Sequence, residues 1–225
     1  MGLFSSSKDS TATEPAEPLQ AVSQAPLGVV QAFTTHKQPI TLKLQEMKKS
    51  FTGDSFHIKD AVSDQPVLEC KTKSFSLHTR KEFVDLQGQT LFRLKKKIIA
   101  LHATVEGLSP NDDAVLFTVK KGSSFTQTKL DVTFQNAADG QNMVLSLRGN
   151  FSGRSATMTL GGEKGPVVGR ISREYLNARE VISNKQTYFL TIAPGVDAAL
   201  LAAVCVILDE MENEAKASAA GAVGA

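Results

Sequence analysis

The densest ionic chemistry in this chain is the run Arg93, Lys95, Lys96 and Lys97 in LFRLKKK, echoed by Lys120 and Lys121 at the end of VLFTVKK. Basic side chains gathered at strand ends on one rim form a cationic surface for anionic head groups, each residue near a membrane contributing about 1 kcal/mol. The same residues also serve as solvated edge charges that discourage unwanted strand pairing. Sequence alone leaves both uses open. Lys48 with Lys49 and Arg80 with Lys81 supply further basic pairs elsewhere. A net charge of +2 is too small for whole-molecule attraction to nucleic acid, so no nucleic-acid partner is expected and any electrostatic role is local.

Other reactive residue types do not assemble into a site. His36, His57, His78 and His102 stand singly, without a second imidazole or thiol at metal-ligand spacing. No G-x-S-x-G elbow and no Gly-rich phosphate loop between a strand and a helix occurs, and GGEKG at Gly161 to Gly165 reads as a hairpin turn. No catalytic residue, metal or cofactor is therefore expected. Cys70 and Cys205 lie far apart, each within an apolar pattern, and neither has the exposed, electropositive setting of a reactive thiolate. With no cysteine framework and no secretory apolar segment, a reducing, cytoplasmic compartment is expected.

Residues 1 to about 25 are rich in Ser, Thr, Pro, Ala and Glu, a composition that predicts a disordered N-terminal tail. Its start, MGLFSSSK, fits the N-myristoylation pattern, with Gly2 as acceptor and Ser6 at the hydroxyl position. A single myristoyl chain binds membranes only marginally, on the order of 10⁴ M⁻¹, so a second signal is needed.

From about Thr41 onward the apolar residues recur with period two. TLKL is followed by Phe56/Ile58, Leu68/Cys70, Phe75/Leu77, Phe92/Leu94, Leu101/Ala103/Val105, Val115/Phe117/Val119 and Leu130/Val132/Phe134. Met143/Leu145/Leu147, Met158/Leu160, Val167 with Ile171, and Tyr188/Leu190/Ile192 complete the series. Such one-side-apolar runs, separated by turn residues, predict roughly twelve antiparallel strands in an all-β barrel or sandwich. After them comes PGVDAALLAAVCVILDE, apolar on every face from Ala198 to Leu208. A helix with no polar face must be enclosed. This one is well short of the roughly 18 to 20 apolar residues that span a bilayer, so the strands themselves must enclose it.

An eight-stranded barrel has room only for its own side chains, whereas a helix about 10 Å across needs a wider one. The sequence thus predicts a barrel of about twelve strands around a central helix at about 197–213. Its Asp197 is the N-cap, its Leu200, Leu201, Val204, Cys205, Ile207 and Leu208 fill the lumen, and small Ala198, Ala199, Ala202 and Ala203 allow close approach to the wall. Asp209, Glu210, Glu212, Asn213 and Glu214 mark emergence into water, and residues 215–225 read as a flexible Ala/Gly tail.

The segments FTGDSFHIKDA, FVDLQGQTLFRLKKK, VLFTVKK, TYFLTIAPGVDAAL and VILDE, in this order, resemble the LURP-one-related family over about residues 38 to 214. The resemblance implies the tubby C-terminal-like fold, a twelve-stranded barrel around a hydrophobic C-terminal helix, for a domain spanning 26–214. It also implies a link to plant defence responses, and by analogy with tubby proteins an affinity for phosphoinositides. This chain lacks the Cys cluster and the EF-hand-like loop expected of scramblase relatives.

Three function classes remain open: a non-enzymatic module at anionic membrane surfaces, aided by Gly2 acylation; a protein-interaction scaffold without lipid binding; and a carrier using the barrel lumen. The helix argues against the third, since it occupies the space a ligand needs. No nucleophile, base and oxyanion donors can be assembled, so an enzyme is not expected.

Overall fold

The computed structural model describes residues 19–47, 55–75, 78–97, 103–122, 128–150, 155–172 and 187–223. Twelve strands run in chain order: β1 (Ile40–Met47), β2 (Ser55–Asp60), β3 (Pro66–Phe75), β4 (His78–Val84), β5 (Thr90–Lys97) and β6 (Thr104–Leu108), then β7 (Val115–Lys121), β8 (Thr128–Gln135), β9 (Asn142–Asn150), β10 (Ser155–Leu160), β11 (Val167–Ser172) and β12 (Thr187–Ile192). Helix α1 (Ala198–Val223) follows. Each strand pairs antiparallel with its neighbours in sequence, and β12 returns to β1 from Ile40↔Ile192 to Gln45↔Thr187, closing the barrel. This is the expected twelve-stranded wall around one C-terminal helix.

The period-two pattern reports most inward side chains correctly, but Val115, expected in line with Phe117 and Val119, is 53% exposed, and in β11 Val168 is fully buried while the expected Val167 is only partly so. Leu42 and Leu44, Phe56 and Ile58, Leu68 and Cys70, Phe92 and Leu94, Phe117 and Val119, and Leu130 and Val132 are all buried. The segment SFSLHTR departs from expectation. Phe75 pairs with His78, so it holds the end of β3 and the start of β4, not one strand. The pattern misleads because Lys81 and Phe83 are both buried in β4, and a lysine on the inner face erases the alternation.

Helix α1 lies in the lumen. From Ala198 through Asp209 every residue is buried, as is Met211. That stretch is about 20 Å long at 1.5 Å per residue, close to the height of strands of six to eight residues. No helix among the described residues is long and apolar enough to cross a membrane. Wall and helix are fitted to each other. A Cβ added at Gly169 on β11 would come within 2.9 Å of Leu201 Cδ2, so this glycine makes room for the helix. Across the barrel, Phe83 stacks on Phe92 (centroids 4.9 Å) and Phe92 meets Phe117 edge-on (5.1 Å), filling the wide side of the lumen. The helix continues to Val223, past the end expected near 213 and through most of the segment read as a tail.

One end of the barrel is closed by a strap. Residues read as the end of the disordered tail belong to it, since Leu19 and Val22 are buried in the core. Leu27 N–H donates to Gly195 O (2.9 Å), and Asp197 N–H donates to Leu27 O (2.8 Å). Asp197 caps the helix as expected, its Oδ1 accepting from Ala199 N–H (2.9 Å) and Leu200 N–H (3.0 Å). It also does more, because its Oδ2 accepts from Val29 N–H (2.9 Å) and Val30 N–H (2.7 Å) of the strap. Gly28 is required beneath it: any Cβ there would sit 2.0 Å from Asp197 Cβ. One carboxylate thus joins the helix start to the barrel's cork.

Two outcomes are expected. Ile207→Asp places an unpaired carboxylate in the lumen at a cost of several kcal/mol and should abolish folding, read by circular dichroism of the purified chain. A soluble, native-like Ile207→Asp protein would contradict the enclosed helix. The second concerns pH. Burial pushes the Asp197 carboxyl up to about 6, against the pull of its four N–H donors. Its folded value therefore lies above the unfolded value of about 3.9, and the folded chain binds the extra proton between about pH 4 and pH 6. That stabilisation is complete below about pH 4 and lost above about pH 6, amounting to about 3 kcal/mol. In urea unfolding, the stability of the protein relative to Asp197→Asn should fall across this window and level off above it. A difference that rises with pH would show that the four donors outweigh burial.

Candidate functional site

The two ends of the barrel carry different chemistry. At the strapped end, the turns at residues 61–65, 85–89, 109–114 and 136–141 carry Asp64, Asp85, Asp112, Asp113 and Asp139, next to Asp60. Several of these carboxylates cap their own turns, as Asp60 Oδ1 does in accepting from Val62 N–H (3.1 Å) and Ser63 N–H (2.7 Å). The Ser63 N–H bond lowers the Asp60 pKa, and Lys59 with Lys43 lowers that of Asp64, so both stay ionised. The helix leaves at the other end, where β5 and β7 finish and β6 starts.

That second end gathers most of the expected lysines. In β5, Phe92 and Leu94 are buried toward the lumen, which puts Lys96 on the mouth side and Lys95 and Lys97 on the outer wall, all three exposed. In β7, Phe117 and Val119 are buried, which puts Lys121 toward the mouth and Lys120 outside. Lys97 pairs across with Thr104, and Thr104 with Lys120, so these lysines lie in one row two strands apart, about 10 Å. Lys95 and Lys97 are about 7 Å apart on the same face. Lys97 contacts Glu106 of β6, and Lys96 contacts Glu214 of α1. Lys95, Lys120 and Lys121 have no ion pair among the described residues.

Arg93 does not join them. Its Nη2 donates to Ser109 O (3.1 Å), Pro110 O (3.1 Å) and Asp113 Oδ1 (2.8 Å), clamping the β6–β7 turn near the strapped end. Gly2, Lys48, Lys49, Leu77, Leu101 and His102 lie outside the described residues, as does the side chain of Arg80. His57 is exposed on the outer wall, and His36 Nε2 is 2.9 Å from Val196 O, in the strap. Cys70 and Cys205 are buried as expected, and burial pushes the Cys70 thiol up to about 12.

Around the departing helix is a polar collar that sequence reasoning missed. Asp209 is not in water: it is buried, with Tyr188 Oη and Asn213 Nδ2 (3.1 Å) donating to its carboxylate. Lys81, read as part of a dispersed basic pair, points into the mouth instead. Its Nζ lies 3.0 Å from Glu210 Oε1 and 5.1 Å from the Phe56 ring centroid. Burial raises the Glu210 pKa, and the Lys81 charge opposes it. Thr128 Oγ1 donates to Glu212 Oε1 (2.7 Å). The clue in sequence is Lys81 two residues before Phe83, hence on the same face of a strand.

Two shallow depressions of about 410 Å³ each lie on the outer wall, sharing Asn142, Met143 and Val144, and none of the rim lysines line them.

Comparison with known proteins agrees with this architecture. The family model described as LURP-one-related matches residues 40–209. Protein LURP-one-related 15 of Arabidopsis thaliana is 28% identical over 184 residues, covering 80% of this chain and 83% of its own length. Protein LURP1 of the same plant is 24% identical over 194 residues, covering 84% and 92%. An X-ray structure of a protein from Arabidopsis thaliana superposes with a TM-score of 0.58 at 23% identity, covering 83% of this chain and 99% of that one. That likeness concerns the fold. The family model spans most of the chain, and this chain belongs to the LURP-one-related family.

Proposed function

We propose that this chain is a non-enzymatic barrel module that docks the end from which its helix emerges onto anionic, phosphoinositide-containing membrane surfaces in signalling or in stress and defence responses. The observation that carries the reading is the gathering of Lys95, Lys120 and Lys121 at one end with no ion pair among the described residues. Cations left without a counter-ion in the protein attract an anionic surface locally, before any contact forms. The lumen is filled by Leu200, Leu201, Val204, Cys205, Ile207 and Leu208, so recognition falls to the outside.

Acylation at Gly2 completes the reading, for a cytoplasmic protein held peripherally on the membrane. The strap begins at the aspartate-ringed end, yet the residues between Gly2 and Leu19, fully extended, reach on the order of 55 Å. This exceeds the barrel height of roughly 25 Å, so an acyl chain and the lysine rim can engage one surface. Two weak signals together give the stable attachment that neither provides alone. A second reading, as a protein-interaction scaffold, draws on Val115 (53% exposed) and Val144 (41% exposed) beside the outer depressions.

Flotation with phosphoinositide-containing vesicles tests the first reading. Binding should weaken as salt rises, and neutralising Lys95, Lys120 and Lys121 to Gln should lower it roughly 100-fold at about 1 kcal/mol per residue. The exposed Lys164, in the turn at the strapped end, serves as control, and Lys164→Gln should leave binding unchanged. Absence of binding at low salt, with acylated and unacylated protein alike, would remove the membrane reading in favour of the scaffold. For Gly2, mass spectrometry of the N-terminus of protein from its own cells should show the myristoyl group; an unmodified terminus would refute it.

A further inference from the structure

The helix leaves the mouth carrying Glu210, Glu212 and Glu214, and all three carboxylates have partners on the wall. Their settings differ. Lys81 opposite Glu210 has its side chain only 7% exposed and Glu210 39%, so that pair is anchored in the collar by its lysine. Glu214 and Lys96 are 54% and 47% exposed, on a turn of helix already outside the lumen. A pair so open to water is weak, and its partners exchange readily. Its position is what gives it a consequence. Lys96 is flanked in sequence by the outward Lys95 and Lys97, and Lys121 also points toward the mouth.

We propose that Glu214 is an internal stand-in for the ligand: in the free protein its carboxylate occupies Lys96, and a phosphate-bearing lipid head group displaces it on docking. This rests on the membrane reading above and adds to it which lysine is masked and by what. The exchange is one anion for another and breaks no covalent bond. Displacement frees the Glu214 side chain alone. The helix around it is rich in good helix formers, Ala215, Ala217, Ala219 and Ala220, and does not need the contact to persist. The rim thereby gains one cation only when an anionic surface is present, and the free protein keeps a lower affinity for anions in general.

The test uses the full-length chain, flotation with vesicles of phosphatidylcholine alone and mixed with a phosphoinositide, and the variants Glu214→Gln, Lys96→Gln and both together. Glu214→Gln should bind the mixed vesicles about fivefold more tightly than the unaltered chain, the value of one basic residue near the surface. In the Lys96→Gln background the same change should give little or no gain. An equal gain in both backgrounds would mean that only net charge matters, which overturns the stand-in role. Binding by the unaltered chain that Glu214→Gln does not tighten also overturns it, while leaving the membrane reading in place. Failure of every variant to bind at low salt removes both. Since Glu214 is exposed, an unchanged thermal midpoint is expected for Glu214→Gln, and it confirms that the comparison is between folded proteins.

Discussion

The constraint that organises this molecule is the width of a closed twelve-stranded sheet. A wall that wide cannot fill its own interior with side chains, and an empty apolar lumen would forfeit dispersion contacts along its whole lining. Helix α1 resolves the problem because it has no face that wants water. Other features follow from seating it. The small residues at Ala198, Ala199, Ala202 and Ala203 and the missing side chain at Gly169 set how near the wall it can lie. The phenylalanines on β4, β5 and β7 fill what the helix leaves over.

A helix threaded through a barrel creates two boundary problems, and the chain solves them differently. At the start, the first-turn N–H groups are deep in protein, where water cannot reach them. Asp197 answers with one carboxylate that also ties down Val29 and Val30, so capping the helix and closing the barrel are a single event. At the exit, the helix must pass from hydrocarbon to water within about two turns. Asp209, still inside, is satisfied by Tyr188 and Asn213; Glu210 is matched by Lys81; Glu212 and Glu214 meet partners at the edge. The gradation from buried to exposed partners follows the gradient of desolvation cost along the helix.

Most of the architecture was legible because it rests on local, periodic information. Inward residues recur at period two in nearly every strand, and the all-apolar run of α1 admits few resting places. Asp197 was legible as a cap because capping is a local rule, yet its bonds to Val29 and Val30 are about 168 residues away in sequence and leave no local trace. The boundary of β4 was obscured by one inward lysine, Lys81, which makes sense only once Glu210 is known to face it. Arg93 illustrates the opposite error. It sits in the same run as Lys95 to Lys97, but strands separate residues along the barrel axis, and its guanidinium is taken by the turn carrying Asp113. Helix α1 runs further than its composition suggests, because Ala and Gly near a terminus look like a tail, whereas the alanines favour helix wherever a packed helix already provides the nucleus.

The collar links these two kinds of information. Carboxylates are placed where α1 leaves the lumen because a helix must become polar there, a requirement of folding and not of recognition. Once placed, they stand beside lysines that end strands, where long charged side chains reach water. Folding rules alone therefore bring opposite charges together at this rim. What folding does not require is that the pairing be incomplete. The exit turns of the helix carry Asp209, Glu210, Glu212 and Glu214, and of these only Glu214 reaches a lysine of the β5 run. Lys95, Lys120 and Lys121 are left to the solvent side without an ion pair among the described residues. At the strapped end the aspartates are met in another way: Asp64 by Lys43 and Lys59, Asp113 by Arg93, and Asp85 and Asp139 by backbone N–H groups of their own turns. Lys95 and Lys120, two strands and two residues apart at about 12 Å, lie beyond the screening length of about 8 Å at physiological salt, so their mutual repulsion costs little. The three unmatched lysines at this end are the charges for which the fold supplies no counter-ion among the described residues.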